Sequence, residues 1–282
     1  MGRLVKEILS EKLTPEELND VISGFDIIGD IAIIKIPNTL LPKKGLIAET
    51  LLKNVKTIKC IFRQASPVSG DYRLMDLEHL AGENRTFTEH KESGCRFYID
   101  ISKTYFSPRL SAERLRIANL VGENEVVVNM FAGIGTFSII IAKKRKTTIN
   151  YAIDLNPDAY EMILKNAFAN KVDNRVIAFL GDAARIIDYK LPSCADRVLM
   201  PYPERALEYF PYAVKALKED GGIIHIYLHV KSNPIDKTIQ EALSTLTLPT
   251  NFRISSIQGK VVREVGPRIE QVVLDLKLSA LT

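Results

Sequence analysis

The segment Glu125-Val-Val-Val-Asn-Met-Phe-Ala-Gly-Ile-Gly135 reads as an apolar, buried-type strand running into a Gly-x-Gly turn, and Thr136 to Ala142 can start a helix behind it. A dinucleotide-binding turn needs a third glycine three residues after Gly135, so that helix and strand close around a pyrophosphate, but Ser138 stands there. A ligand without phosphates fits this turn better. The next strand, Ile149-Asn-Tyr-Ala-Ile-Asp154, ends in a carboxylate about 20 residues past the turn, where it can accept hydrogen bonds from both hydroxyls of a ribose. A third strand, Val176-Ile-Ala-Phe-Leu180, is followed by Gly181-Asp182, an acid able to accept from an adenine amino group. Each aspartate taken singly reads equally well as the cap of the helix after it. The repeated strand-then-acid pattern beside a glycine turn favours a nucleoside site over two independent caps.

Parallel strands must bring these points to one edge. From Leu110 onward the pattern is helix, strand, glycine turn, helix, strand, helix, strand, the alternation that builds a parallel sheet covered on both faces. Before it, Val5 to Leu13 has apolar positions at helical spacing, and Thr14-Pro15-Glu16-Glu17 reads as an N-cap, a proline at the first helical position and an acidic first turn. Phe25 to Ile36 is β-branched with Gly29-Asp30 placed like a turn, predicting a hairpin or a bent strand. A helix over Leu46 to Leu52, a strand over Thr57 to Arg63 and a hairpin-like pair ending in Phe97 to Ile101 complete a small α+β unit, with the boundary expected at 103/104.

The 282 residues, 46% hydrophobic, fit one large domain or two modest ones. Three widely spaced cysteines, Cys60, Cys95 and Cys194, suggest neither a disulfide framework nor a metal site, and no apolar run approaches membrane-spanning length. A cytoplasmic protein is expected, with no membrane or metal partner. The net charge of +4 permits an anionic partner without requiring one.

Several further segments carry a resemblance: Tyr105-Phe-Ser-Pro-Arg-Leu110, Glu113-Arg114, Asn129 to Gly135, Asp154-Leu-Asn-Pro157 and Asp196-Arg-Val-Leu-Met200. Together they resemble the archaeal-eukaryotic tRNA (guanine-37-N1) methyltransferases and their relatives that build the wyosine base, over about Phe25 to Asp275. The resemblance implies an α/β fold: a Rossmann-like class I methyltransferase domain, 104–282, preceded by a small α+β domain, 1–103, that positions RNA. It implies S-adenosylmethionine as cofactor, tRNA as partner and the purine at anticodon-loop position 37 as target, in a monomer. Family members often carry a further domain that grips the tRNA elbow, which this chain is expected to lack. Phe106, Arg114, Asn129, Phe131, Gly133, Gly135, Asp154, Leu155, Asp182, Ala183 and Pro201 are the expected cofactor contacts.

Methylation at N1 of guanine removes a ring proton and builds charge on O6, which calls for a general base and a cation. Glu161 and Arg109 are the candidates: members that transfer methyl resemble this chain in Ser-Pro-Arg-Leu and in an acid after Asn-Pro, whereas the aminocarboxypropyl transferases tend to lack both. The bland alternatives are a salt bridge from Arg109 to Glu113 and a solvated helix face for Glu161. Tyr202 and Pro203, with Arg109, Arg263 and Arg268, are the expected substrate contacts.

Two positions depart from the family. Pro201-Tyr202-Pro203 stands where methyltransferases show Asn-Leu-Pro and aminocarboxypropyl transferases show Gly-Tyr-Val, so C7 of the tricyclic wyosine intermediate is an alternative target to N1. Asn129 stands where the family strand ends in aspartate; its amide can still accept from the cofactor's ammonium. Arg114, Arg116, Lys260, Arg263 and Arg268 offer phosphate contacts, and Lys143 to Lys146 reads as a solvated loop. Tyr105, Phe106 and Tyr202 are able to stack on a flipped base. His225 and His229, four apart and so on one face of an alternating strand, read as structural.

Overall fold

The computed structural model describes residues 2–231, 234–247 and 252–281, which divide into two compact units, 1–109 and 110–282. The seam falls slightly after the expected 103/104. The reason lies in Tyr105 and Phe106, which pack on first-unit residues: Arg73 covers the Tyr105 ring at 4.2 Å, and His90 meets Phe106 at 5.0 Å.

The first unit opens with α1 (Gly2–Leu9) and α2 (Pro15–Asp20). A capping box starts α2: the Thr14 hydroxyl accepts from Glu17 N, Glu17 accepts from Thr14 N, and Pro15 sits where its missing N–H costs nothing. The helix predicted over Val5 to Leu13 ends earlier, at Leu9. Strands β1 (Asp26–Ile28) and β2 (Ile31–Ile34) form an antiparallel hairpin with Ile28 facing Ile31 across Gly29-Asp30. Helix α3 (Lys44–Asn54) then crosses over to β3 (Cys60–Gln64), parallel to β2, and β4 (Leu77–Gly82) pairs antiparallel at the edge. The predicted strand at Thr57 begins only at Cys60, because Ile58 N closes a turn on Val55 O. A separate hairpin follows, β5 (Phe87–Glu92) with β6 (Cys95–Asp100). The core of this unit gathers Leu9, Ile34, Leu40, Ile47, Leu51 and Ile61.

The second unit runs α4 (Ser111–Leu120), β7 (Val126–Asn129), α5 (Thr136–Lys144), β8 (Ile149–Asp154), α6 (Pro157–Ala169), β9 (Val176–Leu180), α7 (Ala183–Lys190), β10 (Arg197–Met200), α8 (Ala206–Ala216), β11 (Gly221–Lys231), α9 (Ile235–Ser244), β12 (Phe252–Gly266) and β13 (Ile269–Ala280). Its seven-stranded sheet is ordered β12-β13-β11-β10-β7-β8-β9; the five strands from β11 to β9 are parallel, and the β12-β13 ribbon is antiparallel at one edge. Strands buried on both faces read as continuous apolar runs, which is why Val126 to Val128 and Val198 to Met200 show no alternation. Among the described residues no helix is long and apolar enough to cross a membrane.

A chain of charged groups threads the interior of this sheet. Tyr227 donates to Glu113 at 2.7 Å, Arg116 bridges Glu113 and Asp275, His225 Nδ1 meets Asp275 at 2.6 Å and its Nε2 meets Arg197 at 2.6 Å, and Arg197 closes on Glu125 at 2.6 Å. Burial holds His225 below the ordinary histidine range, so its neutral ring donates from Nδ1 to Asp275 and accepts from Arg197. His225 is thus structural, as the sequence suggested, whereas His229 on the same strand is exposed.

Candidate active site

Parallel strands all leave the sheet in one direction, so β7, β8 and β9 deliver their final residues to one edge. Gly133 and Gly135, after β7, have φ of +56° and +85°, the left-handed region that glycine enters freely. A Cβ on Gly135 would stand 3.1 Å from the Ile139 side chain. The bare turn therefore lets Gly133 N reach Asp154 Oδ2 at 2.6 Å, while Asn156 N donates to Oδ1 at 3.0 Å. Surrounding protein raises the Asp154 carboxyl to about 6, against the pull of the Asn156, Gly133 and Leu155 N–H groups. A desolvated carboxylate held by backbone donors is a rigid acceptor for paired hydroxyls.

Asp182, after β9, caps α7: its Oδ1 accepts from Arg185 N at 3.1 Å, and its Oδ2 accepts from the Tyr209 hydroxyl. Burial first, then Asp182, pushes the Tyr209 phenol upward. The capping alternative is therefore realised; each carboxylate oxygen keeps a second lone pair for a further donor. Ala183 behind it is buried, and Leu155 beside Asp154 is an exposed leucine at 39%.

Asn129 is fully buried with its amide turned into the protein: Nδ2 donates to Ser138 Oγ at 3.3 Å and Oδ1 accepts from Phe131 N at 3.4 Å. It braces the glycine turn against the start of α5. An aspartate could not donate to Ser138, so the amide suits the serine that replaces the third glycine.

Aromatic rings gather beside the turn, a group that the sequence reading named only in part. Phe131 meets Tyr202 at 5.3 Å and Tyr209 at 5.1 Å, both edge-on, and Arg205 lies over Tyr209 at 4.9 Å. Tyr209 lies in α8, which carries no motif; only the ring facing Asp182 reveals it. Pro201 and Tyr202 are half-buried and Pro203 is buried.

Arg109 belongs to the first unit. Its Nε donates to Asp26 Oδ1 at 2.7 Å, not to Glu113, and the side chain is half exposed. Phe106 is buried under His90, and Tyr105 carries Arg73 on one ring face, so neither ring is wholly free for stacking. In the second unit, Glu161 is exposed on α6 and makes no hydrogen bond or ion pair among the described residues. The expected phosphate contacts at Arg114 and Arg116 are corrected: Arg114 is 2% exposed, and Arg116 is committed to Glu113 and Asp275. Arg263 is half-buried on Gln271 Oε1 at 2.8 Å; Lys260 and Arg268 are exposed on the ribbon. The expected solvated loop at Lys143 to Lys146 begins inside α5: Lys143 and Lys144 form its last turn and are exposed, as is Lys146, while Lys143 and Arg145 donate to the carbonyls of Asn170 and Asn119.

A doubly wound sheet with an acid-clamped glycine turn at its carboxyl edge defines a nucleoside-binding Rossmann-like domain. The TRM5/TYW2 methyltransferase domain profile matches residues 88–254 and the TYW2 N-terminal domain profile matches residues 5–86; the chain belongs to this methyltransferase family. It is 38% identical to the tRNA (guanine(37)-N(1))-methyltransferase Trm5b of Pyrococcus abyssi over 94% of this chain and 78% of that one. It is 37% identical to the tRNA 4-demethylwyosine(37)-methyltransferase Taw21 of Saccharolobus solfataricus over 93% and 96%. Among solved structures, the complex of aTrm5 and tRNALeu matches with a TM-score of 0.82 at 37% identity, covering 97% of this chain and 77% of that one. The crystal structure of P. horikoshii TYW2 in complex with MeSAdo matches with a TM-score of 0.76 at 30% identity, covering 99% of each.

Proposed function

We propose that this chain transfers the methyl group of S-adenosylmethionine to the purine at position 37 of a tRNA, working as a cytoplasmic monomer. The observation that carries the reading is the Asp154 carboxylate, raised to about 6 and clamped by Gly133 and Asn156 N–H at the end of β8. The residues fit the cofactor's adenosine half: Asp154 accepts the ribose hydroxyls, Leu155 and Ala183 flank the base, and Asp182 accepts from its amino group. Phe131 and Pro201 flank the reacting end, with Gly133 and Gly135 admitting the ligand past bare backbone. Relatives named for position 37 of tRNA, and solved relatives bound to tRNALeu and to MeSAdo, support the substrate and the cofactor.

S-adenosylmethionine supplies a methyl carbon activated by a sulfonium. Glu161 would take the ring proton that the purine loses when it accepts that methyl. Arg109 uses only Nε on Asp26, leaving its two terminal nitrogens to stabilise negative charge on the base oxygen. Tyr202 supplies a ring for the base and Pro203 fixes the loop that carries it, while Arg263 and Arg268 on the β12-β13 ribbon meet phosphates.

Mass spectrometry of nucleosides tests the target. A methyl mass gain on unmodified guanosine-37 tRNA assigns N1; gain only on the 4-demethylwyosine precursor assigns C7 and accounts for Pro201-Tyr202-Pro203. Aminocarboxypropyl transfer is the second reading, favoured by the TYW2 N-terminal match over residues 5–86 and by Tyr202. Methylthioadenosine as the sulfur product, instead of S-adenosylhomocysteine, would establish it.

A further inference from the structure

Several cations of the first unit are neutralised locally: Lys43 pairs with Glu17, Arg63 with Glu78, Arg85 with Asp30 and Glu83, and Arg109 with Asp26. Lys12 and Lys35 are exposed singly, whereas Lys53, Lys56 and Lys59 are grouped. All three are exposed, and none has a side-chain hydrogen bond or ion pair among the described residues. They line one open concavity of about 660 Å³, together with Leu52, Ile58, Gly82 and Glu83. The acid in that wall is already engaged, since Glu83 Oε2 accepts from Arg85 Nε at 2.7 Å.

The floor of the concavity is held by backbone. Lys59 N donates to Asp30 O at 2.8 Å and Lys59 O accepts from Glu83 N at 2.9 Å, while Lys53 closes the last turn of α3. Three ammonium groups therefore project from a fixed rim without a counterion. Lysines serving solubility alone are interspersed with acids, as the paired cations elsewhere in the unit are. Like charges gathered around one hollow repel each other unless an anion joins them.

We propose that this concavity seats the sugar-phosphate backbone of the RNA substrate, an inference that rests on the tRNA reading above. The lining holds no aromatic ring and no side-chain amide, so it has nothing to stack on a base or to read its edge. Lysine ammonium groups on flexible stems match phosphates as point charges and carry no sequence information. The contact orients the RNA on the first unit and leaves discrimination to the residues around the purine.

Binding of transcribed tRNA to the full chain, followed by anisotropy across a potassium chloride series, tests this. Replacing Lys53, Lys56 and Lys59 together by Gln should reduce the slope of log Kd against log salt by about 2 to 3, because each phosphate contact contributes roughly 0.9. Replacement of all three by Arg should restore the slope, and both variants should bind S-adenosylmethionine as the parent does. A Gln variant with the parental slope, in a parent that binds tRNA, overturns the inference alone. A parent without salt-dependent tRNA binding overturns the RNA reading and this site with it. Competition by inorganic phosphate as effective as tRNA at matched ionic strength would replace the RNA backbone by a small anion.

Discussion

With Asp154 as the proposed ribose acceptor, stability and ligand binding oppose each other at this residue. A carboxyl raised to about 6 in the folded protein makes the folded state the tighter proton binder between the ordinary aspartate range and pH 6, so ionising it at neutral pH costs stability, roughly 1–3 kcal/mol. Asp154→Asn should therefore raise the melting temperature of the ligand-free protein at pH 7.5 and abolish detectable S-adenosylmethionine binding in calorimetry. A lowered melting temperature would show that the clamp on Gly133 and Asn156 is net stabilising. The same carboxyl predicts that cofactor affinity of the parent falls about tenfold per pH unit below pH 6, since the ribose hydroxyls need an ionised acceptor; flat affinity down to pH 5 contradicts that role. Arg109 and Asp26 make a second residue-scale case. Arg109→Ala should lower kcat by about 10²-fold or more with cofactor binding unchanged, as expected for a cation acting on transition-state charge. If both kcat and KM are unaffected, its pair with Asp26 is structural only.

At the scale of elements, the β1-β2 hairpin shows how closely the first unit packs. Gly29 has φ of +59°, and a Cβ there would stand 2.2 Å from Thr88 Oγ1 and 2.5 Å from the Glu89 carbonyl of β5. Gly29→Ala should thus cost about 2 kcal/mol or more, read as a lower urea midpoint with an unchanged m-value. The turn itself was legible from Gly29-Asp30 between β-branched runs. Its second function, letting β5 approach, was not, because Thr88 lies 59 positions along the chain and nothing local announces it. The strands β8 and β9 were legible to the residue, since apolar runs ending in an acid have sharp ends. The end of α1 and the start of β3 were not, since turns at Leu9 and Val55 decide them and their side chains fit either state.

Across the second unit, the Tyr227-Glu113-Arg116-Asp275-His225-Arg197-Glu125 chain joins α4 to the strands β10, β11 and β13 and to the turn before β7. Breaking one link leaves a charge without its partner in a desolvated interior, so Arg116→Met should cost about 3–5 kcal/mol by chemical denaturation. His225 is held neutral in the folded state while the unfolded chain takes up a proton below about pH 6.5; its contribution is present above that pH and drains away on acidification. Asp154 acts in the opposite sense over part of the same window. The melting temperature of Asp154→Asn should accordingly fall more steeply than that of the parent between pH 6.5 and 4. By itself the sequence determined the glycine turn and the acids at the strand ends, the proposed cofactor edge, because these are local patterns whose chemistry follows from residue type and spacing. It determined the family for the same reason. Only the tertiary structure decided which charges are available: Arg114 is buried, Arg116 is committed to Glu113 and Asp275, Asp182 is shared with Tyr209, Asn129 is turned inward on Ser138, and Lys53, Lys56 and Lys59 are left bare around one hollow. Charge is written in the sequence, but its partner is chosen by packing between residues far apart in the chain.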